Sequence, residues 1–471
     1  MKNKQRLVLL ICALLMAPLS RAAGRDGTVK ENQAIDGNYE RGGERAVSQS
    51  VPSAPLSIAG AISEAEGQNP EIKRLDATAE RISWTRLEAW SGHLPHVSAQ
   101  YDHFLTAKYL RENIVFGGQV VNFPAGYPLD TITVDASLTV FDGMRTVHNI
   151  RAANDLTEAA RLEVSRARFK LDEEVRNRFY RALAAQRLLG VAEQNMKTLE
   201  DHLGRAKLSE KSGYGTQYDV LRIQANLEEA RAEQDQANDN VALSRRALTE
   251  VMGLKDEDNR PLAGDLPVLK ETDVPKNLNA SVENREDFQA QSLRESAAGE
   301  AQSASRSFWV PSVSLFAQEQ FYKFGDVDPT IVANSSLQNA YAAGIRLTWN
   351  IFDGGASLAR QKEANAASQE ASAETEVALT HLPVDFDTWK RQFFHNIVLY
   401  HARLRALDQS EESVRLALAG VKAGSRTNTE VLDAELELFR SRAGLIRAQA
   451  DAIDALGKLE LATGHRIWSA P

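Results

Sequence analysis

Cysteine is almost absent from this sequence of 471 residues, and its one occurrence, Cys12, lies in an apolar segment near the amino terminus. The chain after that segment can therefore form no disulfide, no thiolate metal site and no cysteine-linked lipid anchor. Histidine is also scarce: the nine histidines include no His-x-x-x-His pair, no Ser-His-Asp set can be assembled, and no phosphate-binding glycine loop occurs. These absences predict a protein that is not an enzyme and that holds no metal and no cofactor.

The amino-terminal segment has the pattern of a secretory signal peptide. An apolar run from Leu7 to Ala17 follows three basic residues and precedes a short frame of small residues that ends at Ala22. A helix needs ~20 apolar residues to span a bilayer, so this shorter run predicts a signal peptide at residues 1–22 that is removed. Residues 23–55 are rich in Gly, Ser, Glu and Arg, and we expect a flexible segment there, to which we assign no function.

Basic residues are outnumbered by acidic ones. The predicted signal peptide takes away four of the 55 Lys and Arg residues and no acids, which leaves 51 basic against 64 acidic residues, a net charge of −13. A nucleic-acid surface has to be basic, because it must neutralise phosphates. We therefore expect no nucleic-acid partner.

Apolar side chains at every second position indicate β-strands in four places. In the clearest of them Ile345, Leu347 and Trp349 alternate with small or polar residues, and a Phe-Asp-Gly-Gly sequence that begins at Phe352 closes the segment. A period of two gives each strand a single apolar face. The predicted strands lie at about 96–106, 131–141, 312–321 and 341–352.

Proline and glycine are rare in the long stretches that follow two of these strands. Residues 143–210 contain no proline, and their apolar side chains recur every three or four positions, which predicts a helix with one apolar stripe. At 1.5 Å per residue such a helix is roughly 100 Å long, far longer than a globular domain uses. Long helices are predicted at about 143–210, 217–252, 355–422 and 428–463, and Pro383 is expected to kink the third of them.

The same order of elements occurs twice along the chain. Phe141-Asp142-Gly143 and Phe352-Asp353-Gly354 lie 211 positions apart, and Gly213 and Gly424 have the same separation. We therefore predict two tandem repeats, each with one helix, two strands and two long antiparallel helices. The predicted boundaries are 56–254 for repeat 1, 255–276 for a linker, 277–464 for repeat 2 and 465–471 for a tail.

Strands and helices of these lengths together suggest a conduit. Four strands of about ten residues with one apolar face suit a membrane β-barrel, but four strands cannot close a barrel. The strands must be pooled among several copies of the chain, and helices of roughly 100 Å exceed the ~30 Å hydrocarbon core and must continue into an aqueous space. The residues thus predict an oligomeric duct.

One pattern occurs twice over residues 56–464: a strand, Phe-Asp-Gly, a long helix, a Gly-x-x-Thr turn and a return helix, which in the second copy includes Val431-Leu432-Asp433-Ala434. By this pattern the chain resembles the outer-membrane efflux protein family, the TolC-like channels. The resemblance implies a mainly α-helical fold with a membrane β-barrel portion, a homotrimer in outer-membrane lipid, and a long periplasmic extension. It also implies a passive exit duct for small molecules or proteins, which acts in a tripartite efflux pump or type I secretion system with a periplasmic adaptor and an inner-membrane pump.

The resemblance also assigns roles to residues around the two helix turns. Glu430 and Asp433 are three positions apart and share a helix face, and six such carboxylates from three chains would form a cation-binding ring at the periplasmic entrance. In the family an arginine that matches Arg426 holds neighbouring helices closed through an acid that matches Asp219. An ordinary solvated helix face remains the alternative for the two acids. The turn residues expected to dock the adaptor are Gly213, Gly215, Thr216, Gly424, Ser425 and Thr427.

Two other classes of protein fit parts of the pattern. A periplasmic coiled-coil scaffold or adaptor without a pore would explain the long helices, but it has no use for four one-faced strands. A self-contained porin would explain the strands, but a pore closed by its own barrel needs no appendage of roughly 100 Å.

Overall fold

The computed structural model describes residues 54–105, 110–125, 128–256, 258–275, 278, 282–324 and 338–468. The predicted signal peptide lies outside the described residues, and so do residues 23–53 of the segment that follows it. The described chain divides into two compact units, one made of residues 90–144 and 308–351 and the other of residues 54–89, 145–307 and 352–468. The first unit is built mainly of strands and the second of helices.

Helices dominate the second unit. Two of them, in equivalent places of the predicted repeats, are each 67 residues long, and the second of these continues without interruption through Pro383. None of the helices among the described residues combines the length and apolar character needed to cross a membrane. The helices are α1 Ile58–Gln68, α2 Pro70–Ser91, α3 Arg145–Lys211, α4 Gln217–Val251, α5 Glu286–Ser305, α6 Ala356–Lys422 and α7 Asn428–Thr463.

The first unit contains a four-stranded antiparallel sheet. Its order is β1-β4-β5-β6, so β1 and β6 form its two edges within the described chain. The predicted strand at 341–352 is observed from Gln338, and it ends at Thr348 because residues 349–355 form the connection to α6. The strands are β1 His96–His103, β2 Leu110–Phe116, β3 Gln119–Ala125, β4 Pro128–Phe141, β5 Ser312–Phe324 and β6 Gln338–Thr348.

Strands β2 and β3 pair with each other on either side of Gly117 and Gly118, and they are additional to the four strands predicted from the sequence. Both glycines have positive φ values, 62° and 82°, as a two-residue hairpin turn requires. The paired Gly-Gly between two short apolar stretches was the signal for a hairpin, and the neighbouring prolines masked it.

The register of the sheet aligns the apolar side chains of all four strands on one face. Leu138 lies opposite Leu315, and Leu315 lies opposite Ile345. On the edge strand these side chains are uncovered: Ile345 is 72% exposed and Leu347 is 66% exposed. Such a contiguous apolar surface requires an apolar environment or a partner.

The opposite face of the sheet carries Arg346, whose guanidinium carbon lies 4.5 Å from the centre of the Phe316 ring. Gly344 makes room for that ring, because a Cβ there would lie 3.3 Å from Phe316 Cε1. Arg346 therefore has a structural partner, a cation–π contact across two strands.

The apolar stripe of α3 forms the centre of the helical unit. Leu171, Val175 and Phe179 follow one another at intervals of four and are 7%, 0% and 1% exposed. They belong to one cluster with Phe393 of α6 and Leu459 of α7. Burying large side chains of this kind contributes about 1.5 to 3 kcal/mol each.

Two similar junctions fix where helices begin and end in this unit. Asn69 caps the start of α2 through its Oδ1 and donates from Nδ2 to the carbonyl of Val251, 2.9 Å away, at the end of α4. In the other junction Arg285 precedes α5 and donates to the carbonyl of Ala462 at the end of α7. Side chains thus satisfy carbonyl groups that helix ends leave unpaired.

Gly253 is the residue that this packing cannot exchange. Its φ is +74°, and an added Cβ would lie 2.8 Å from Asn69 Cα. We predict that Gly253→Ala lowers the free energy of unfolding by about 1 to 3 kcal/mol, because it adds a strained backbone and a backbone clash. Denaturant midpoints measure the change. Gly190→Ala is the control. Gly190 lies within α3, an added Cβ there would have no neighbour within 4 Å, and the substitution should raise the free energy of unfolding by up to about 1 kcal/mol. Equal midpoints for the two variants would contradict the prediction.

Candidate functional site at the two helix turns

Two tight turns connect the long helices into hairpins, here called hairpin A (α3 and α4) and hairpin B (α6 and α7). Gly213 and Gly424 have φ values of +79° and +73°, the left-handed conformation that ends each first helix. In hairpin A the amide of Gly215 donates to the carbonyl of Ser209, and in hairpin B the amide of Arg426 donates to the carbonyl of Gly420. The two turns therefore share one backbone conformation.

A threonine begins the second helix of each hairpin. The hydroxyl of Thr216 accepts a hydrogen bond from the amide of Asp219 and donates to its carboxylate at 2.6 Å. Thr427 accepts from the amide of Glu430, whose carboxylate in turn accepts from the amide of Thr427. This second arrangement is a capping box, so Glu430 has a structural task at the helix start in addition to any role in a pore.

In both turns the chain passes close to the end of the preceding helix. A Cβ at Gly215 would lie 2.9 Å from the backbone nitrogen of Glu210, and a Cβ at Gly420 would lie 2.8 Å from the Cγ and Cδ atoms of Arg426. The glycine stands on the turn in hairpin A and on the helix in hairpin B. Each close approach requires a glycine on one side. In hairpin B that glycine is Gly420 on the helix, and it leaves room for the side chain of Arg426 in the turn.

Asp433 is paired within the chain. Arg222 of α4 donates from Nη2 to Asp433 Oδ1 of α7 at 2.5 Å, which joins hairpin A to hairpin B. His202 of α3 and Glu435 of α7 form a second pair between the hairpins. A small apolar cluster lies beside them and contains Leu199, Leu227, Ala230 and Leu432.

The remaining two predicted gate residues do not meet in a single chain. Asp219 is held by Thr216, and Arg426 is exposed and forms no ion pair among the described residues. The structure thus brings Asp433 together with Arg222, which the sequence analysis did not single out. A signal existed, because Arg222 lies 211 positions before Asp433 and so holds the equivalent place in the other predicted repeat.

The two turns differ in the side chains that they expose. Hairpin A presents Tyr214, 92% exposed, and Tyr218, 69% exposed. The equivalent positions in hairpin B carry Ser425 and Thr429. Aromatic side chains with polar tips are common anchors at protein interfaces, so the two turns offer a partner different surfaces.

Known outer-membrane proteins resemble this chain in sequence. The family model described as "Outer membrane efflux protein" matches residues 61–254 and again residues 277–465. The outer membrane efflux protein BepC of Brucella suis is 23% identical over 350 residues, which cover 71% of this chain and 72% of that relative. The outer membrane protein TolC of Vibrio cholerae is 26% identical over 299 residues, 61% of this chain and 66% of that relative.

The fold is also that of a solved outer-membrane protein. VceC of Vibrio cholerae aligns with a TM-score of 0.70 at 18% sequence identity, over 87% of this chain and 97% of that one. At this level of identity the comparison establishes the fold.

The close approach in hairpin A can be tested by Gly215→Ala. The added methyl group meets backbone rather than a movable side chain, so we predict that the turn opens while the rest of the helices stays folded. Hydrogen exchange of the amides at 213–215 should become at least about tenfold faster, the equivalent of 1.4 kcal/mol. Gly204→Ala on the same helix has open space and should leave these amides unchanged. Unchanged exchange in both variants would show that the turn tolerates a side chain.

Proposed function

The chain belongs to the outer membrane efflux protein family, and from this membership we propose that it is the passive exit duct of a tripartite efflux pump or a type I secretion system. It carries small molecules or proteins across the outer membrane. Energy and most of the cargo selection belong to an inner-membrane pump, which the duct meets through a periplasmic adaptor.

The observation that carries this proposal is the four-stranded sheet with two edges and one uncovered apolar face. Edge strands inside a bilayer must pair, because hydrocarbon offers no hydrogen-bond partner. Three chains that join β1 of one to β6 of the next would supply twelve strands, enough for a closed barrel. The duct is therefore a homotrimer, with the apolar face toward lipid and the long helices in the periplasm.

Tandem duplication of one unit underlies this architecture. The family model matches the chain twice, and its two matches nearly coincide with the predicted repeats at 56–254 and 277–464. The contacts from Asn69 to Val251 and from Arg285 to Ala462 support the same division, since the two acceptor carbonyls lie 211 positions apart. Residues 255–276 link the repeats and residues 465–471 form the tail.

The hairpin turns form the periplasmic end of the duct and its adaptor-docking surface. Gly213, Gly215 and Thr216 shape one turn; Gly424, Ser425 and Thr427 shape the other. Glu430 and Asp433 face the lumen near its narrowest point, and Arg426 and Asp219 restrain neighbouring helices of the closed trimer. The Arg222–Asp433 pair places a positive charge beside this ring and weakens its attraction for cations.

A periplasmic scaffold without a pore is the competing function. The exposed apolar face of β5 and β6 disfavours it, because an aqueous scaffold would leave Ile345 and Leu347 in contact with water.

The membrane placement of the sheet is tested by Ile345→Lys. A lysine on a lipid-facing strand costs about 2 to 4 kcal/mol near the bilayer centre, so we expect at least a severalfold loss of trimer from isolated outer membranes. The measurement is the mass and amount of detergent-extracted protein, with discrete single-channel openings in planar bilayers for the wild type. Ala342→Lys on the opposite face of β6 is the matched control and should assemble normally. Recovery of the wild-type protein as a soluble periplasmic species without conductance would contradict the duct function and favour the scaffold function.

The proposed ring of acids is tested by removing its negative charges and, in a separate variant, the positive charge of Arg222. Replacing Glu430 and Asp433 together by Ala should weaken the block of conductance by divalent cations. Arg222→Gln should strengthen the block, by about fivefold in blocking concentration if the lost charge acts from about 4 Å through water. Arg231→Gln is the control, because Arg231 pairs with Glu228 on its own helix. Unchanged block in the double variant would remove the ring from the mechanism.

A further inference from the structure

Two glutamates are buried in the helical unit at a distance from the turns. Glu173 of α3 is 5% exposed and Glu460 of α7 is 1% exposed. Burying an ionised carboxylate is costly unless it is paired and hydrogen bonded. Neither residue takes part in the proposed ring or in the sheet, so their burial needs its own explanation.

Glu460 binds the residues that follow α7. Its Oε1 atom accepts hydrogen bonds from the backbone amides of Ile467 and Trp468, at 2.8 Å and 2.7 Å. Two backbone donors favour the ionised form of a carboxyl group. Glu460 is therefore the acceptor that fixes the course of the chain after Gly464.

Glu173 lies against the same part of α7, and both carboxyl groups line one cavity. Its Oε2 atom fits over Gly457, where a Cβ would lie only 3.0 Å away. Its Oε1 atom has no hydrogen-bond partner among the described residues, and the Nε atom of Arg176 is 3.8 Å from it, too far for a hydrogen bond. A hydrogen bond between two carboxyl groups requires a proton on one of them.

We propose that Glu173 carries a proton shared with Glu460 in the folded chain, and that this proton makes the pair a clasp which holds Ile467 and Trp468 against the helices. Glu173 donates the proton to Glu460, and Glu460 accepts it together with the two backbone amides. Loss of the proton places two negative charges in a buried site, and the clasp then releases the residues after α7.

Other charges surround the pair, and one of them provides a second anchor. Arg466 donates to Asp172 at 2.7 Å, and this ion pair contains no shared proton. Trp468 also packs against the main apolar cluster. The other charged or titratable groups that line the same cavity are Lys170, Glu174, Arg176, Arg178, Tyr180 and Arg181 on α3, and Asp454 and Lys458 on α7.

The stability of the folded chain depends on pH because folding retains the proton on Glu173. Burial, reinforced by the charge of Glu460, raises the pKa of Glu173 from its ordinary value of 4.5 to about 8. Between these two pH values the folded chain binds more protons than the unfolded chain, so stability falls as the pH rises. The clasp is closed at acidic and neutral pH and opens as the pH passes about 8.

The experiment uses the full chain as a detergent-extracted assembly with a spin label on His465→Cys, an exposed position next to the segment that the clasp holds. The label is unique after removal of the predicted signal peptide, because Cys12 is the one cysteine of the sequence. We expect an immobile label at pH 6 and a mobile one at pH 9.5, with a midpoint near the pKa of about 8. Far-UV circular dichroism and mass at each pH verify that the helices and the assembly persist.

Two variants distinguish the opening of the clasp from a general increase in the mobility of the chain. Glu173→Gln keeps a hydrogen-bond donor without a titratable proton, so the label should stay immobile over the whole range. Asp172→Asn removes the Arg466 anchor and should raise mobility at every pH while the transition near pH 8 persists. A wild-type label whose mobility does not change with pH would overturn the proposal, as would a transition in Glu173→Gln that matches the wild type.

Discussion

Within the part of the chain that the structure describes, strands β1 and β6 each pair with one neighbour, so each leaves a row of backbone N–H and C=O groups at an edge of the sheet. In water such an edge is satisfied by solvent, but within hydrocarbon each unpaired group costs several kcal/mol. The same strands carry an apolar face that needs lipid. The described sheet of one chain therefore has two unpaired edges, and in the trimer that we propose other copies of the chain supply the missing strands.

The helical unit solves the complementary problem, the unpaired groups at helix ends. Asn69 and Arg285 each reach the last turn of a return helix, and Gly253 and Gly464 permit the close approach. At the opposite ends of these return helices, threonine caps begin α4 and α7. Side chains thus satisfy backbone groups at both ends of α4 and α7.

Charge is distributed unevenly along the hairpins. Near the turns an acid of the proposed ring is opposed by Arg222 within the same chain, which gives the entrance a mixed character. Farther along, Glu173 of α3 and Glu460 of α7 are both buried and line one cavity, and the hydrogen bond that we propose between them requires a proton. In our proposals the first arrangement tunes what the entrance attracts, and the second couples the position of a peptide segment to pH. Helix α7 takes part in both, with α4 in the first and α3 in the second.

Most of the strands and the long helices were predictable from the sequence, because their periodicity is a local pattern. The family and the outer-membrane duct were predictable through the resemblance that the order of these elements carries. Ile345 and Leu347 reveal a one-faced strand through alternation alone, and Leu171, Val175 and Phe179 reveal a helix stripe through intervals of four. The hairpin of β2 and β3 was missed, since two short strands beside prolines give too weak a pattern.

Only the tertiary structure decided which side chains meet. Arg222 and Asp433, or Glu173 and Glu460, are separated by more than two hundred positions, and their contacts depend on how α3, α4 and α7 pack. Local sequence fixes the direction of a side chain relative to its own helix, whereas its partner is set by the rotation and register of the neighbouring helix. The sequence by itself therefore determined most of the elements and their class of function, and packing determined the ion pairs, the capping contacts and the burial of the two glutamates.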